Sequence, residues 1–163
     1  MISFELPEKL AEILKRESER RGITEEEIIL EALSGFLELD PEEKAEFHSS
    51  LSEKYLSEAE ELLRKGDYVQ ASEKAWGAAS QILKAVAAGR GKELRSHGEL
   101  HKFASALRDE TGDEELRRLW QVATSLHQNF YENWLPAKVV EESVQDIRKF
   151  TVKLKEIMTR RPK

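Results

Sequence analysis

The sequence of 163 residues contains no cysteine. That absence excludes a disulfide framework, a thiol nucleophile and a cysteine-ligated zinc site. No stretch approaches the run of about 20 apolar residues that a membrane span needs. Residues 1–14 lack the apolar core of a signal peptide, so a cytoplasmic protein is expected. There is no long linker and no low-complexity segment. Asparagine occurs only at Asn129 and Asn133. With dense Glu, Lys and Arg, that scarcity leans towards a heat-adapted source. What is present is 39% apolar and 36% charged residues, a mixture too apolar for a disordered chain. A chain of this length hides about 68–70% of its unfolded surface, enough for one core.

The net charge of −6 conceals an asymmetry. Residues 1–67 carry 9 basic and 19 acidic side chains, whereas residues 68–163 carry 17 and 13. Any polyanion site is therefore expected in the second part.

Hydrophobic periodicity gives the elements. Ile2, Phe4 and Leu6 alternate with Ser3 and Glu5, a strand pattern closed by Pro7. Leu10, Ile13 and Leu14 then form a helical stripe that stops at Gly22, and Thr24 with Glu27 predicts a capping box for a second helix. Asp40–Pro41 opens a long helix with Phe47, Leu51, Tyr55, Ala59 and Leu62 inward. Asp67 caps the next, where alanines at 71, 75, 78 and 79 allow close approach and predict a central position. Ser96, Asp113 and Pro136 start three more helices. The stripe expected on the second of these runs through Leu116, Leu119, Trp120, Ala123, His127, Phe130 and Trp134. On the last, Val140, Val144, Ile147, Thr151, Leu154 and Met158 step like a coiled-coil seam. The short connections favour antiparallel neighbours. Residues 59–79 are reminiscent of a tetratricopeptide repeat, but no copy recurs 34 residues away, so a solenoid is rejected.

The first 37 residues, including the Arg20-Arg21-Gly22-Ile23-Thr24 turn, resemble the ribbon-helix-helix family. A lone five-residue strand cannot satisfy its own backbone groups, so Ile2, Phe4 and Leu6 are expected to pair with a second chain. The resemblance implies DNA reading by outward strand residues. Here those are Ser3 and Glu5, and the second helix opens with Glu25, Glu26 and Glu27, which repel phosphate. DNA is therefore not the expected partner, and the segment is read as a dimerisation clasp.

Residues 41–160 resemble the PaREP-type family of archaeal proteins and, through it, the HEPN helical bundles. The carriers are Gly66-Asp67-Tyr68 with Ala71, the run from Lys74 to Ala79, His97 before a short helix, and Leu126-His127-Gln128-Asn129-Phe130-Tyr131-Glu132. The resemblance implies an antiparallel bundle, often dimeric. Some such proteins are metal-independent ribonucleases with an Arg four to six residues before a His. Others are non-catalytic partners of small nucleotidyltransferases in toxin–antitoxin-like pairs. Before His127 the required positions hold Trp120, Gln121 and Val122, so the motif is absent there. It occurs upstream as Arg90 to His97 and Arg95 to His101, close to what chance supplies.

Residues 84–102 form the candidate anion or nucleotide site, with Arg90, Lys92, Arg95, His97 and Lys102 beside a helix N-terminus. The alternative is a solvated loop. His97 and His101 stand four apart, but no third ligand is evident and no metal is expected. His127, Asn129, Tyr131 and Glu132 form a second polar cluster, read mainly as a satisfied core histidine and its partners.

The expectation is thus an all-α, HEPN-like antiparallel bundle (residues 40–163) behind a strand-helix-helix dimerisation segment (residues 1–39). The preferred function is a non-enzymatic, homo-oligomeric interaction module, without cofactor, that associates with RNA or a nucleotide. The first alternative is a metal-independent ribonuclease using Arg95, His97 and His101. The second is a ribbon-helix-helix DNA-binding regulator.

Overall fold

The computed structural model describes residues 2–160. The chain divides into two compact units, residues 1–40 and 41–163. The first holds α1 (Glu8–Arg21) and α2 (Glu25–Phe36). Gly22 ends α1 in the left-handed conformation, at φ 67°, and its N–H reaches the Ser18 carbonyl. The Thr24 side chain accepts from the Glu27 N–H and starts α2.

The strand expected over Ile2–Leu6 is absent, and no strand occurs among the described residues. Alternation supplies a strand with faces but not with a partner. A single extended segment has no ladder to complete, so its backbone donors and acceptors face water instead. Ile2 and Phe4 are accordingly exposed and Leu6 is half-buried. The leader is a helical pair preceded by an irregular segment, and the ribbon-helix-helix reading falls with the ribbon.

The second unit packs α3 (Pro41–Arg64), α4 (Tyr68–Gly89), α5 (His97–Thr111), α6 (Glu114–Glu132) and α7 (Ala137–Thr159). An all-helical bundle is the result. α4 is its axis, in contact with α3, α5, α6 and α7. The alanines at 71, 75, 78 and 79 are fully buried, as is Ile82. Small side chains let α3 approach closely enough for Ser52 Oγ to donate to the Ala78 carbonyl at 2.8 Å. The α7 seam also holds, with Val140, Val144, Ile147, Thr151 and Leu154 buried and Phe150 beside them; Met158 is only half-buried.

Two details depart from the periodicity. On α6 the buried stripe continues through Leu126 and Asn129, whereas His127 is half-buried and Trp134 lies beyond the helix end, exposed. More consequential is the course of α5. Antiparallel neighbours hold for α3 and α4, where Ser52 meets Ala78 and Glu58 meets Lys74, and for α5 and α6, where His101 meets Trp120 and Arg108 meets Glu114. α5, however, runs in the same sense as α4. Its first residue, His97, lies against Trp76, and Glu110 near its end lies against Arg90. Residues 90–96 carry the chain back along α4 to make this possible. Gly91, at φ 73°, turns the chain there, with the Lys92 N–H on the Ala87 carbonyl and the Gly91 N–H on that of Ala88. This return places the start of α5 over the middle of α4.

Candidate functional site

On α4, Glu73, Trp76, Ser80 and Lys84 follow each other at intervals of three or four, so they share one helical face. That face carries polar groups on a helix that is otherwise almost wholly apolar and buried. Trp76 and, from α6, Trp120 make the floor; both are nearly buried, with ring centroids 5.1 Å apart.

Three histidines from two helices converge on this floor. His127 stacks on Trp76 at 4.7 Å and 24°. Its Nδ1 lies 3.1 Å from Glu73 Oε2. A carboxylate only accepts, so Nδ1 carries the proton and Nε2 of the neutral ring keeps its lone pair. His97 stands edge-on to Trp76 at 5.5 Å and to His127 at 5.1 Å. His101 Nδ1 accepts from Trp120 Nε1 at 2.8 Å. The indole has only a donor to give, which fixes the neutral His101 tautomer with its proton on Nε2. Tyr131 closes one side, its ring 5.4 Å from that of His127 and 65% exposed.

The electrostatics are set by this crowding. His97 as a residue is exposed, yet its ring edge is covered by Trp76 and His127. Burial is the main cause that holds its pKa below the ordinary imidazole value, followed by the neighbouring His127 and His101 and by Lys84; Glu73 opposes them. Burial also raises the Tyr131 phenol, with the Glu73 carboxylate adding to it. Beside the floor, between α5 and α6, a groove of about 190 Å³ is lined by His101, Arg108, Arg117, Trp120 and Gln121 among others.

Of the anion set predicted from sequence, only His97 belongs to this patch. Arg90 is clamped by Glu110 at 2.7 and 3.0 Å. Arg95 points into solvent, 80% exposed, and is held by Glu93 at 2.6 Å. Lys92 and Lys102 are exposed. Of the candidate catalytic residues, His97 and His101 lie on the patch and Arg95 does not join them. The second cluster also divides. His127 and Tyr131 belong to the patch, Glu132 is exposed, and Asn129 has a different task. Buried Asn129 donates to Ser72 Oγ at 3.0 Å and accepts from the Trp134 and Leu135 N–H groups at 2.9 and 2.8 Å. It ties down the α6–α7 connection. The partner of His127 is Glu73, which sequence reading missed together with Ser80 and Lys84. Among the described residues no group of three or more His, Asp or Glu side chains is arranged to hold a metal ion.

The patch offers flat rings to stack on, imidazoles able to exchange protons near neutrality, and one carboxylate that orients His127. Comparison with known proteins places it in context. The model of the Archaeal PaREP1/PaREP8 family matches residues 47–151, a span that includes every patch residue. The crystal structure of a protein from Sulfolobus solfataricus is similar to this chain with a TM-score of 0.58 and 31% identity, over 64% of this chain and 93% of that one. No curated protein matches.

Proposed function

The chain belongs to the archaeal PaREP1/PaREP8 family, and from that premise we propose that it is a non-enzymatic, homo-oligomeric helical module of HEPN-like kind whose histidine–tryptophan patch binds a nucleotide or single-stranded RNA. The observation that carries this reading is the ring cluster, in which His97, His127 and Tyr131 stand around Trp76 at 4.7–5.5 Å. Unstacked bases are bound on such rings, with each base contributing about 1–3 kcal/mol. The surplus of basic residues after position 67 favours the phosphate backbone. Self-association is supported by the first unit. None of the α1 residues is buried, and Leu10, Ile13, Leu33, Phe36 and Leu37 are exposed. A unit of 40 residues is too small to build a core from such side chains, so a second copy is the natural cover. A small nucleotidyltransferase, which the HEPN resemblance implies, is the proposed partner outside the homo-oligomer.

Tryptophan fluorescence tests the reading. Adding a short oligoribonucleotide is expected to quench the emission saturably at low salt. His97→Ala together with Tyr131→Ala weakens binding at least tenfold, in line with about 1–3 kcal/mol per lost stack. Absence of quenching and of any mobility shift at low salt overturns it.

A ribonuclease is the second reading, and one observation favours it. His97 and His127 lie 5.1 Å apart, and Glu73 orients His127 so that one imidazole can accept a proton while the other supplies one. Here the pair is His97 with His127, since Arg95 lies apart. RNA cleavage in EDTA, lost in His97→Ala and in His127→Ala, replaces the binding module with this enzyme.

A further inference from the structure

We propose that the patch has a seat for a phosphate monoester, formed by the N-terminus of α5 with Ser80 and Lys84 of α4; this deepens the nucleotide reading above and rests on it. The first observation is which amides of α5 are spoken for. The capping box uses Ser96 Oγ for the Glu99 N–H and the Glu99 carboxylate for the Arg95 and Ser96 N–H groups. The Leu100 N–H reaches the Ser96 carbonyl. The N–H groups of His97 and Gly98 make no such bond and point out of the helix end, where the helix dipole favours an anion.

The second observation is independent of the first. Ser80 is 7% exposed, and its Oγ has no hydrogen-bond partner. A buried hydroxyl left unpaired costs free energy, so a missing partner is indicated. Ser80 stands one turn after Trp76, which touches the His97 ring, and one turn before Lys84, whose charge reaches the same ring. It therefore underlies the start of α5. Lys84 is 8% exposed. A buried ammonium strengthens any anion contact because little water screens it. Glu73 and Glu99 are the opposing charges. Glu73 is engaged by His127, and Glu99 by the amides of Arg95 and Ser96. A dianionic phosphate thus meets two backbone donors, a hydroxyl, an ammonium and the His97 imidazole, while its base reaches the Trp76–His127 rings.

The test uses the full-length, isotope-labelled protein with five probes: inorganic phosphate, adenosine, AMP, and one hexaribonucleotide with a 5′-phosphate or a 5′-hydroxyl. AMP is expected to bind at least tenfold more tightly than adenosine, and phosphate alone to move the amide resonances of His97 and Gly98. A tenfold gain for the 5′-phosphorylated hexamer identifies an RNA terminus as ligand; a gain for AMP alone identifies a free nucleotide. Ser80→Ala and Lys84→Met each remove the gain and leave adenosine binding unchanged. Lys84→Arg keeps the charge and part of the gain, which guards against a folding defect in Lys84→Met. Equal binding of adenosine and AMP, with the amides of His97 and Gly98 unmoved by phosphate, overturns the phosphate seat and leaves base stacking intact. If no base-bearing probe binds, the nucleotide reading itself falls.

Discussion

At the scale of single residues, His97 couples the patch to the stability of the bundle. Its ring edge is covered and two other histidines and Lys84 stand near it, so the folded state disfavours its proton. The sign follows from linkage. A histidine whose folded pKa lies below its unfolded value contributes stability that is present above the unfolded value of about 6.5 and lost as pH falls below it. Tm is therefore expected to drop between pH 7.5 and pH 5.5. In His97→Gln, which cannot titrate, the slope over that window becomes shallower. The lowered carboxylates Glu110, Asp113, Glu114 and Glu115 take effect only at more acidic pH, where each loses a cationic partner on protonation. A thermal scan at half-unit intervals separates the two windows. An unchanged slope in His97→Gln rules out His97 as the titrating group.

At the scale of elements, the decisive feature is the turn after α4. Had α5 followed as an antiparallel neighbour, His97 would lie near the C-terminal end of α4, about 20 Å from Trp76 at 1.5 Å per residue. Gly91 adopts φ 73° at this turn, with nothing near its missing Cβ, so an alanine fits in space and is opposed only by its backbone. Gly91→Ala is expected to cost about 1 kcal/mol, the usual penalty for a side chain in the left-handed region. Urea unfolding measures it as a lower midpoint at constant slope. The same mutation should weaken ligand binding, because it disturbs the segment that positions α5. Caps made the helix boundaries legible, since Asp67, Ser96 and Asp113 each accept a backbone N–H in the first turn they begin. Direction was not legible. Nothing in residues 90–96 encodes locally that the chain returns along α4; that depends on which faces of α4 and α6 remain to be covered. For the same reason Arg90, Lys92 and Arg95 read as an anion loop although Arg90 and Arg95 are held by Glu110 and Glu93. The Glu73–Trp76–Ser80–Lys84 spacing was visible in the sequence. Its polar members were passed over because the alanines beside them so clearly mark a core helix.

At the scale of the whole molecule, the distribution of burial separates the tasks of the two units. Every buried apolar side chain among the described residues lies at or after Ala45. The bundle therefore holds its own core, whereas residues 1–40 hold none of it. The strand once expected there would have needed a second chain for its backbone, and the two helices instead present side chains that need one for their apolar surface. These are different physical demands with different signatures. Backbone pairing would add strand content on association, whereas helix packing adds buried area at constant secondary structure. A fragment of residues 41–163 is thus expected to keep the helical signature of the bundle and its Tm within a few degrees, and to run as a monomer by light scattering. The full chain is expected to run as an oligomer, with no strand signal gained over a hundredfold rise in concentration. An unfolded fragment would mean that the bundle depends on the leader. An unchanged oligomer mass would move the self-association surface from α1 and α2 to the bundle, where Tyr131 and Trp134 are the large exposed aromatic rings beside the patch. In that case the ring cluster would serve the contact between copies, and nucleotide binding would compete with assembly.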